Sequence, residues 1–165
     1  MADRARAGNG MARAREALIV GALRAISEHG VKRTTMNLIS DISKTARGTL
    51  YNHFRNKAEL LRAVTEYEVE RIGTLGINAA TKREPDAGLK VVLTEISNHP
   101  VLAYLREHEP EALIPLIMMQ DNEQWHRVFE LAKEIGKYGE ERSEEIVRKS
   151  IGAILNPVRS SETLF

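Results

Sequence analysis

The sequence contains no cysteine among its 165 residues. Disulfide bonds, thiolate metal sites and a thiol nucleophile are therefore excluded. The length allows one globular unit, or a small domain joined to a larger one. Classes of protein that depend on cysteine chemistry are ruled out at the start.

Long apolar runs are also missing. The longest apolar block, Ala112–Met119, is far shorter than the roughly 20 residues that a membrane-spanning helix needs, and Pro115 interrupts it. The first ten residues carry charge but no apolar segment of the kind found in secretory signals. We therefore expect a cytoplasmic protein without a membrane partner.

Recognisable catalytic motifs are absent from the sequence. It contains no glycine-rich phosphate-binding loop, no HExxH pair and no nucleophile elbow. Carboxylates near His99, His108 and His126 raise the possibility of a divalent metal, but such histidines are more often surface or capping groups. We therefore expect no enzyme, no metal site and no cofactor.

The near-neutral total charge hides an asymmetry between the two parts of the chain. Residues 1–60 contain 11 Lys and Arg against 5 Asp and Glu, a net charge of +6. Residues 61–165 contain 13 against 18, a net charge of −5. A basic DNA-binding domain joined to an acidic body is expected to have such a split, and chance variation in solvated charges is the plainer alternative.

Helical periodicity runs through most of the chain, without convincing strand alternation or repeats. It predicts an all-α fold with a mobile basic arm at 1–12, a helix-turn-helix domain at 13–60 and a helical domain at 61–165, which a long helix joins to the first. The first helix is expected to stop at Gly30, and either Thr34 or Thr35 is expected to cap the second.

The most informative segment is residues 47–57, Arg-Gly-Thr-Leu-Tyr-Asn-His-Phe-Arg-Asn-Lys. It follows a short amphipathic helix after a tight connection at Ser43–Thr45. Residues 46–53 are therefore predicted to form the second helix of a helix-turn-helix, which lies in the DNA major groove. Leu50 and Phe54, four residues apart, are assigned to the core.

The polar residues around this helix suit phosphates and base edges. Arg47 and Thr49, with Asn52 as a further candidate, are predicted to read bases. Gly48 lacks a Cβ and so lets the backbone approach the duplex. The full set of predicted DNA contacts is Thr35, Lys44, Thr45, Arg47, Gly48, Thr49, Tyr51, Asn52, His53 and Lys57.

This pattern resembles the N-terminal domain of the tetracycline-repressor (TetR) family of bacterial transcriptional regulators. The resemblance covers residues 13–64 and rests on Gly30, the Thr34-Thr35 cap, Ile39, Gly48-Thr49-Leu50-Tyr51-Asn52-His53-Phe54, Lys57 and Leu60. It implies a homodimer that binds a palindromic operator on double-stranded DNA. It also implies a repressor that a small apolar ligand releases from that operator.

The turn before the recognition helix departs from the family pattern. The family usually has a small residue and a glycine there, followed by an apolar residue and a serine-type cap, whereas this chain has Ser43-Lys44-Thr45-Ala46. A left-handed Lys44 costs about 1 kcal/mol relative to glycine. Thr45 rather than Ala46 is a candidate cap, so the register of the helix is left open.

The resemblance also gives roles to the second half of the chain. Candidates for an effector pocket are Tyr104, Met118, Met119, Trp125 and Phe129, and plain core is the favoured alternative for each of them. Apolar stripes at about 122–138 and 141–155 suit a four-helix dimer interface. The predicted interface residues are Val128, Ala132, Ile135, Val147, Ile151, Ile154 and Leu155. A DNA-binding dimer without an effector and, less favoured, a helical protein-interaction module or an enzyme are the alternatives.

Overall fold

The computed structural model describes residues 2–80, 84, 86–118, 123–137 and 140–157. Over these residues the backbone forms only helices and the turns between them, as predicted. The helices are α1 (Ala2–Arg33), α2 (Met36–Ser43), α3 (Arg47–His53), α4 (Lys57–Ala79), α5 (Ala87–Ser97), α6 (Pro100–His108), α7 (Ile114–Ile117, after a 3₁₀ turn at Pro110–Leu113), α8 (Glu123–Ile135) and α9 (Glu140–Leu155). Within this described part, no helix combines the length and the apolarity that crossing a bilayer requires.

The first helix begins earlier than the sequence pattern predicts. α1 includes residues 2–12, for which a mobile basic arm was predicted. Alanine and arginine, both strong helix formers, occur on either side of the Gly8-Asn9-Gly10 segment, and the helix continues without an apolar stripe. The segment predicted to be a mobile basic arm is therefore helical over residues 2–12.

The junction between α1 and α2 follows the predicted signals. Gly30 has φ 77° and ψ 173°, so it breaks the regular path of α1 before a last turn that ends at Arg33. The buried Thr34 hydroxyl donates to the Gly30 carbonyl at 2.6 Å. Thr35 caps α2, because its hydroxyl oxygen accepts a hydrogen bond from the Leu38 amide at 3.2 Å. Of the two threonines, Thr35 is therefore the cap.

The chain divides into two compact units, Met1–Tyr67 and Glu68–Phe165. The boundary falls within α4 rather than after residue 60, because Ala63, Val64 and Tyr67 pack into the core of the first unit. That core also takes side chains from each of α1 to α4 and from the turn after α3. Its other buried members are Leu18, Ile19, Ala22, Ala25, Ile39, Leu50, Phe54 and Leu60.

The start of α4 is capped from both directions. The Asn56 side-chain oxygen accepts from the Glu59 amide at 2.9 Å, as predicted for a cap at this position. The Glu59 carboxylate in turn accepts from the Arg55 amide at 2.8 Å. This reciprocal arrangement satisfies amides at the helix start and fixes where α4 begins relative to α3.

The second unit has its own apolar core, built mainly from α5, α6, α8 and α9. Helix α9 packs against both α5 and α8. The buried apolar side chains are Leu89, Val92, Leu93, Ile96, Val101, Leu102, Leu105, Leu113, Leu131, Ala132, Ile135, Ile146, Val147 and Ala153. A unit with this many enclosed apolar residues has an independent hydrophobic stabilisation.

A polar network crosses the second unit at the start of α6. Nε2 of the buried His99 lies 3.0 Å from Glu68, and Arg71 bridges Glu68 and Glu95 at 2.9 and 2.8 Å. His99 also caps α6, since its Nδ1 accepts from the Leu102 amide, so Nε2 carries the proton that goes to Glu68. Burial by itself raises the pKa of Glu68, but the hydrogen bonds from His99 and Arg71 outweigh it and hold that pKa below its ordinary value. His99 is therefore a capping group in this structure.

Candidate nucleic-acid interface

Helix α3, which was predicted to read DNA, has one buried and one exposed side. Leu50 is fully enclosed and Phe54, just after the helix, is only 2% exposed, as their assignment to the core predicts. Arg47, Gly48 and Asn52 are exposed, and the Tyr51 side chain is 51% exposed. Thr49 and His53 lie at the edge between the two sides and are half-buried. The helix therefore presents basic, aromatic and amide groups outward from an apolar anchor.

The anchor of α3 is reinforced at its C-terminal end. The Phe54 ring lies under the Arg15 guanidinium of α1, with 5.3 Å between the cation and the ring centroid. The His53 ring lies 6.2 Å from the Phe54 ring, tilted by 46°. Such a cation–aromatic contact contributes about 0.5–1 kcal/mol at an exposed site. Sequence reasoning did not identify Arg15, because a contact between α1 and the end of α3 leaves no local signal.

The N-terminus of α3 settles the register that the sequence left open. The helix begins at Arg47, so Ala46 occupies the N-cap position and provides no side-chain hydrogen bond. Thr45, the alternative cap that the sequence left open, lies one residue too early; its hydroxyl donates to the Ser43 carbonyl at 3.3 Å. Ala46 rather than Thr45 is therefore the N-cap residue.

The turn itself places a lysine in a strained conformation. Lys44 has φ 53° and ψ 31°, the left-handed region, and is the only non-glycine with positive φ in the described residues. Its side chain is exposed. A non-glycine residue in this region costs about 1 kcal/mol or more. The backbone strain expected if Lys44 were left-handed is therefore present in the structure.

A close approach between α1 and the end of α2 supports this turn. A Cβ placed on Gly21 would lie 2.7 Å from the Ser43 Cβ and 3.1 Å from its backbone. Glycine is therefore needed at position 21 for α2 to reach its place against α1. Sequence reasoning missed Gly21, because a glycine inside a helix does not indicate which neighbouring helix packs closely against it.

Gly48 has the opposite environment. A Cβ placed on it would meet no atom of the described residues within 4 Å, and its φ is not positive. Neither packing nor backbone geometry of this chain therefore calls for glycine at position 48. Glycine in a helix costs about 0.5–1 kcal/mol relative to alanine, so its use here is without benefit to the fold.

Like Thr45, two other predicted DNA contacts have structural partners within the first unit. The partly buried Lys57 ammonium donates to the Val31 carbonyl at the end of α1. The Thr35 hydroxyl is the cap of α2, although the residue is exposed. Lys57 thus ties the start of α4 to the end of α1, a role that the sequence did not predict.

Comparison with known proteins identifies this unit. Residues 18–64 match the family model of the bacterial regulatory proteins of the tetR family. These residues form a TetR-family N-terminal domain. The match spans α1 from Leu18 to the first turns of α4, and so includes Gly21, the turn at Lys44 and the whole of α3.

Two curated relatives illustrate the extent of the likeness. The probable acrEF/envCD operon repressor of Escherichia coli (strain K12) is 44% identical over 46 residues, covering 28% of this chain and 21% of the relative. The HTH-type transcriptional regulator TtgR of Pseudomonas putida is 33% identical over 90 residues, covering 53% and 43%. The aligned part is therefore less than half the length of either relative.

A solved structure extends the likeness in fold beyond the TetR-family domain. The TetR family repressor AlkX from Dietzia sp. strain DQ12-45-1b superposes with a TM-score of 0.66 at 17% identity. The superposition covers 88% of this chain and 85% of that one. At this identity the likeness concerns the fold, which is all-helical in both units, as predicted.

The predicted effector residues are only partly brought together outside the TetR-family domain. The Trp125 indole nitrogen donates to the Met118 carbonyl at 3.0 Å, and its ring lies 6.3 Å from the Phe129 ring. Tyr104 stacks on His108 of its own helix, with 4.4 Å between the ring centroids. Met119 lies outside the described residues. Across all the residues that the structure describes, no group of three or more histidines and carboxylates is arranged to hold a metal ion.

The predicted dimer residues separate into two sets. Ala132, Ile135 and Val147 are only 2–3% exposed, so they belong to the core of the second unit and have almost no surface left to bury against a partner. Their assignment to an interface is therefore wrong, because an apolar stripe does not indicate whether it meets the same chain or another. The other four keep exposed surface: Val128, Ile151, Ile154 and Leu155.

Proposed function

We propose that this chain is a homodimeric, sequence-specific DNA-binding regulator that represses transcription from a palindromic operator. Arg47, Thr49 and Asn52 read base edges, since they lie on or beside the exposed face of α3. Lys44 and Tyr51 hold the DNA backbone, with His53 at the edge of the same face. The names of the two curated relatives, a repressor and a transcriptional regulator, support the same class of function.

The observation that carries the proposal is Gly48 in its setting. It lies exposed between Arg47 and Thr49, and none of the residues that the structure describes occupies the space that a side chain would fill. A bound duplex accounts for the glycine, because a groove wall at this point would exclude a Cβ. The match of the surrounding residues to the TetR-family domain supports the same reading.

The proposed dimerisation is supported by apolar residues of α8 and α9 that keep exposed surface. Val128, Ile151, Ile154 and the 51% exposed Leu155 lie on helices that pack against each other within the chain. Two such helices from each of two copies form a four-helix interface. A twofold dimer carries two recognition helices and therefore reads a palindrome whose half-sites match their spacing.

Release by a small apolar ligand completes the proposed mechanism. Met118, Trp125 and Phe129 supply the polarisable and aromatic surface that such ligands contact, and Tyr104 is a further candidate. The ligand lowers operator affinity only if it binds more tightly to a dimer whose recognition helices are mis-spaced.

Lys57 and Thr35 support the helices that carry the DNA contacts, and Thr45 supports the turn between them.

The test begins with selection of duplex DNA from a random pool by the wild-type protein. A palindromic consensus is the expected result, since it reports sequence reading and twofold symmetry together. Arg47→Ala should then relax the base preference at its position, at a cost of about 1–3 kcal/mol. Lys44→Ala should weaken all duplexes alike and reduce the salt slope by about one unit.

A matched control is available on α1. Arg24 is exposed and paired with Glu28 at 2.9 Å, so Arg24→Ala removes the same charge away from α3. It should leave the base preference unchanged. Failure to enrich any sequence, or an equal loss of preference from Arg24→Ala and Arg47→Ala, contradicts the assignment of α3 as the reading helix.

A further inference from the structure

The turn that leads into α3 lacks two local sources of rigidity. Lys44 adopts the left-handed conformation without being glycine, and Ala46 sits at the N-cap without a side chain that can accept a hydrogen bond. A side-chain cap and a glycine in the left-handed position normally fix the residue at which a helix starts. Without them, the start of α3 is less firmly fixed. That rigidity must come from elsewhere in the structure.

Ser40 of α2 supplies it through two hydrogen bonds with Thr45. The Ser40 hydroxyl donates to the Thr45 carbonyl at 2.6 Å, and the Thr45 amide donates to the Ser40 carbonyl at 3.1 Å. Ser40 is only 5% exposed, so its own hydroxyl and carbonyl groups have little access to competing water. We call these two bonds the Ser40–Thr45 clamp.

The clamp stands on a rigid base. Ile39, next to Ser40, is fully buried in the core of the first unit. Ser43, three residues after Ser40, lies against Gly21 of α1 and donates to the Ser40 carbonyl at 3.3 Å. The contact with α1 therefore sets the position of α2. Through the clamp, α2 in turn fixes Thr45, the residue before the N-cap of α3.

We propose that Ser40 is a positioning residue for DNA recognition: it fixes the entry of α3 and thereby the base preference of the domain. The inference rests on the proposed DNA-binding function. Ser40 does not touch the exposed face itself, so it acts through Thr45 and the helix that follows.

The lever arm is long enough for this effect. α3 has seven residues and is about 10 Å long at about 1.5 Å per residue. A change of about 10° at its start moves its far end by about 2 Å. Base contacts need placement within roughly 0.5 Å, whereas a phosphate contact by a flexible lysine does not. Loss of the clamp should therefore reduce specificity more than general affinity.

The experiment compares two affinities for each variant at one salt concentration. The probes are the duplex that the wild type selects from a random pool and a scrambled duplex of equal composition. Ser40→Ala should lower the ratio of the two affinities about tenfold, roughly the discrimination of one good base contact. Its affinity for the scrambled duplex should change less than about twofold, because phosphate charges dominate it.

The control in the same turn is Ser43→Ala. It removes a hydroxyl whose hydrogen bond is long, at 3.3 Å, and keeps the Cβ that meets Gly21. The ratio should stay within about twofold of the wild type. An equal loss from Ser40→Ala and Ser43→Ala overturns the special role of Ser40.

A second pair of variants separates positioning from stability. Serine at position 46 gives α3 a side-chain cap, so Ser40→Ala/Ala46→Ser should regain most of the lost ratio. Thr74 is exposed on α4 in the second unit, and Thr74→Ala raises stability through helix propensity alone. Ser40→Ala/Thr74→Ala should regain melting temperature without regaining the ratio.

The outcomes distinguish this inference from the function on which it rests. If the wild type selects no sequence, the proposed function fails. If the wild type selects a sequence but Ser40→Ala keeps the wild-type ratio, or if Thr74→Ala restores the ratio as well as Ala46→Ser does, Ser40 has no positioning role. Recovery by Ala46→Ser alone supports it.

Discussion

Replacing Gly48 by alanine should separate the stability of the domain from its affinity for DNA. Within the described part of the chain, the added Cβ meets no atom within 4 Å, and the backbone φ is one that alanine adopts. Alanine at such a position stabilises a helix by about 0.4–1 kcal/mol. For a chain of 165 residues this corresponds to a rise in melting temperature of about 1–4 °C.

DNA affinity should move in the other direction. If a groove wall lies against Gly48, the methyl group is an overpacked atom in a closed interface, which costs about 1–3 kcal/mol. At about 1.4 kcal/mol per factor of ten, the dissociation constant rises by about 5- to 150-fold. The two assays are thermal unfolding followed by circular dichroism, and fluorescence anisotropy titration of the selected duplex at fixed salt.

Thr74→Ala in α4 is the stability control. Thr74 is exposed in the second unit, and alanine there raises helix propensity without adding an atom beside α3. Thr74→Ala should raise the melting temperature and leave the affinity for the duplex unchanged. Wild-type affinity in Gly48→Ala would refute the close approach of DNA, and a lower melting temperature would refute the open environment of Gly48.

Three further changes test the packing around the site and the network in the second unit. Gly21→Ala should destabilise the protein by about 1–3 kcal/mol in urea denaturation, because the new Cβ overlaps Ser43; no loss would contradict the close approach. Ala46→Ser should raise stability by about 1 kcal/mol in the same assay, and no gain would place the N-cap elsewhere. Glu68→Gln should reduce the free energy of unfolding near pH 6, and the difference from the wild type should disappear as pH falls below 4.5. The reason is that the pKa of Glu68 is lowered in the fold, so its charge stabilises the fold above about pH 4.5 and this contribution is lost as the carboxylate is protonated. A gap that persists at pH 2 would contradict a role for the Glu68 charge beside His99.

The junctions of the first unit were predictable because their signals are local. Gly30, Thr35 and Asn56 each act on backbone groups within four residues along the chain. Such short-range hydrogen bonds depend on residue type and spacing alone, which a sequence displays directly. The same reasoning placed Leu50 and Phe54 on the inner side of α3, since a separation of four residues defines a helix face.

The predictions that failed depend on partners far away in the chain or on competing preferences. The stripe on α8 and α9 correctly marked Ile135 and Val147 as apolar, but both meet their own unit rather than a second copy. The Lys57 ammonium, predicted to meet a phosphate, also has a partner that the sequence did not indicate, the Val31 carbonyl 26 residues earlier. Residues 2–12 lack an apolar stripe, yet they belong to α1. Periodicity shows which residues need burial, not which surface provides it.

Gly21 and Gly48 show how folding and binding requirements can be told apart within one domain. At Gly21 the chain itself fills the space of a side chain, so the fold accounts for the glycine. At Gly48 the space is empty and the helix would be more stable with alanine, so the fold gives no account of it. A residue that lowers stability without serving packing points to a partner outside the chain. The open space at Gly48 indicates a partner close to the backbone of α3, whatever its charge. The positive charges of Arg47 and Lys44 indicate only that the partner is anionic. Together they favour an anionic surface that comes close enough to touch the helix backbone, as the major groove of a duplex does.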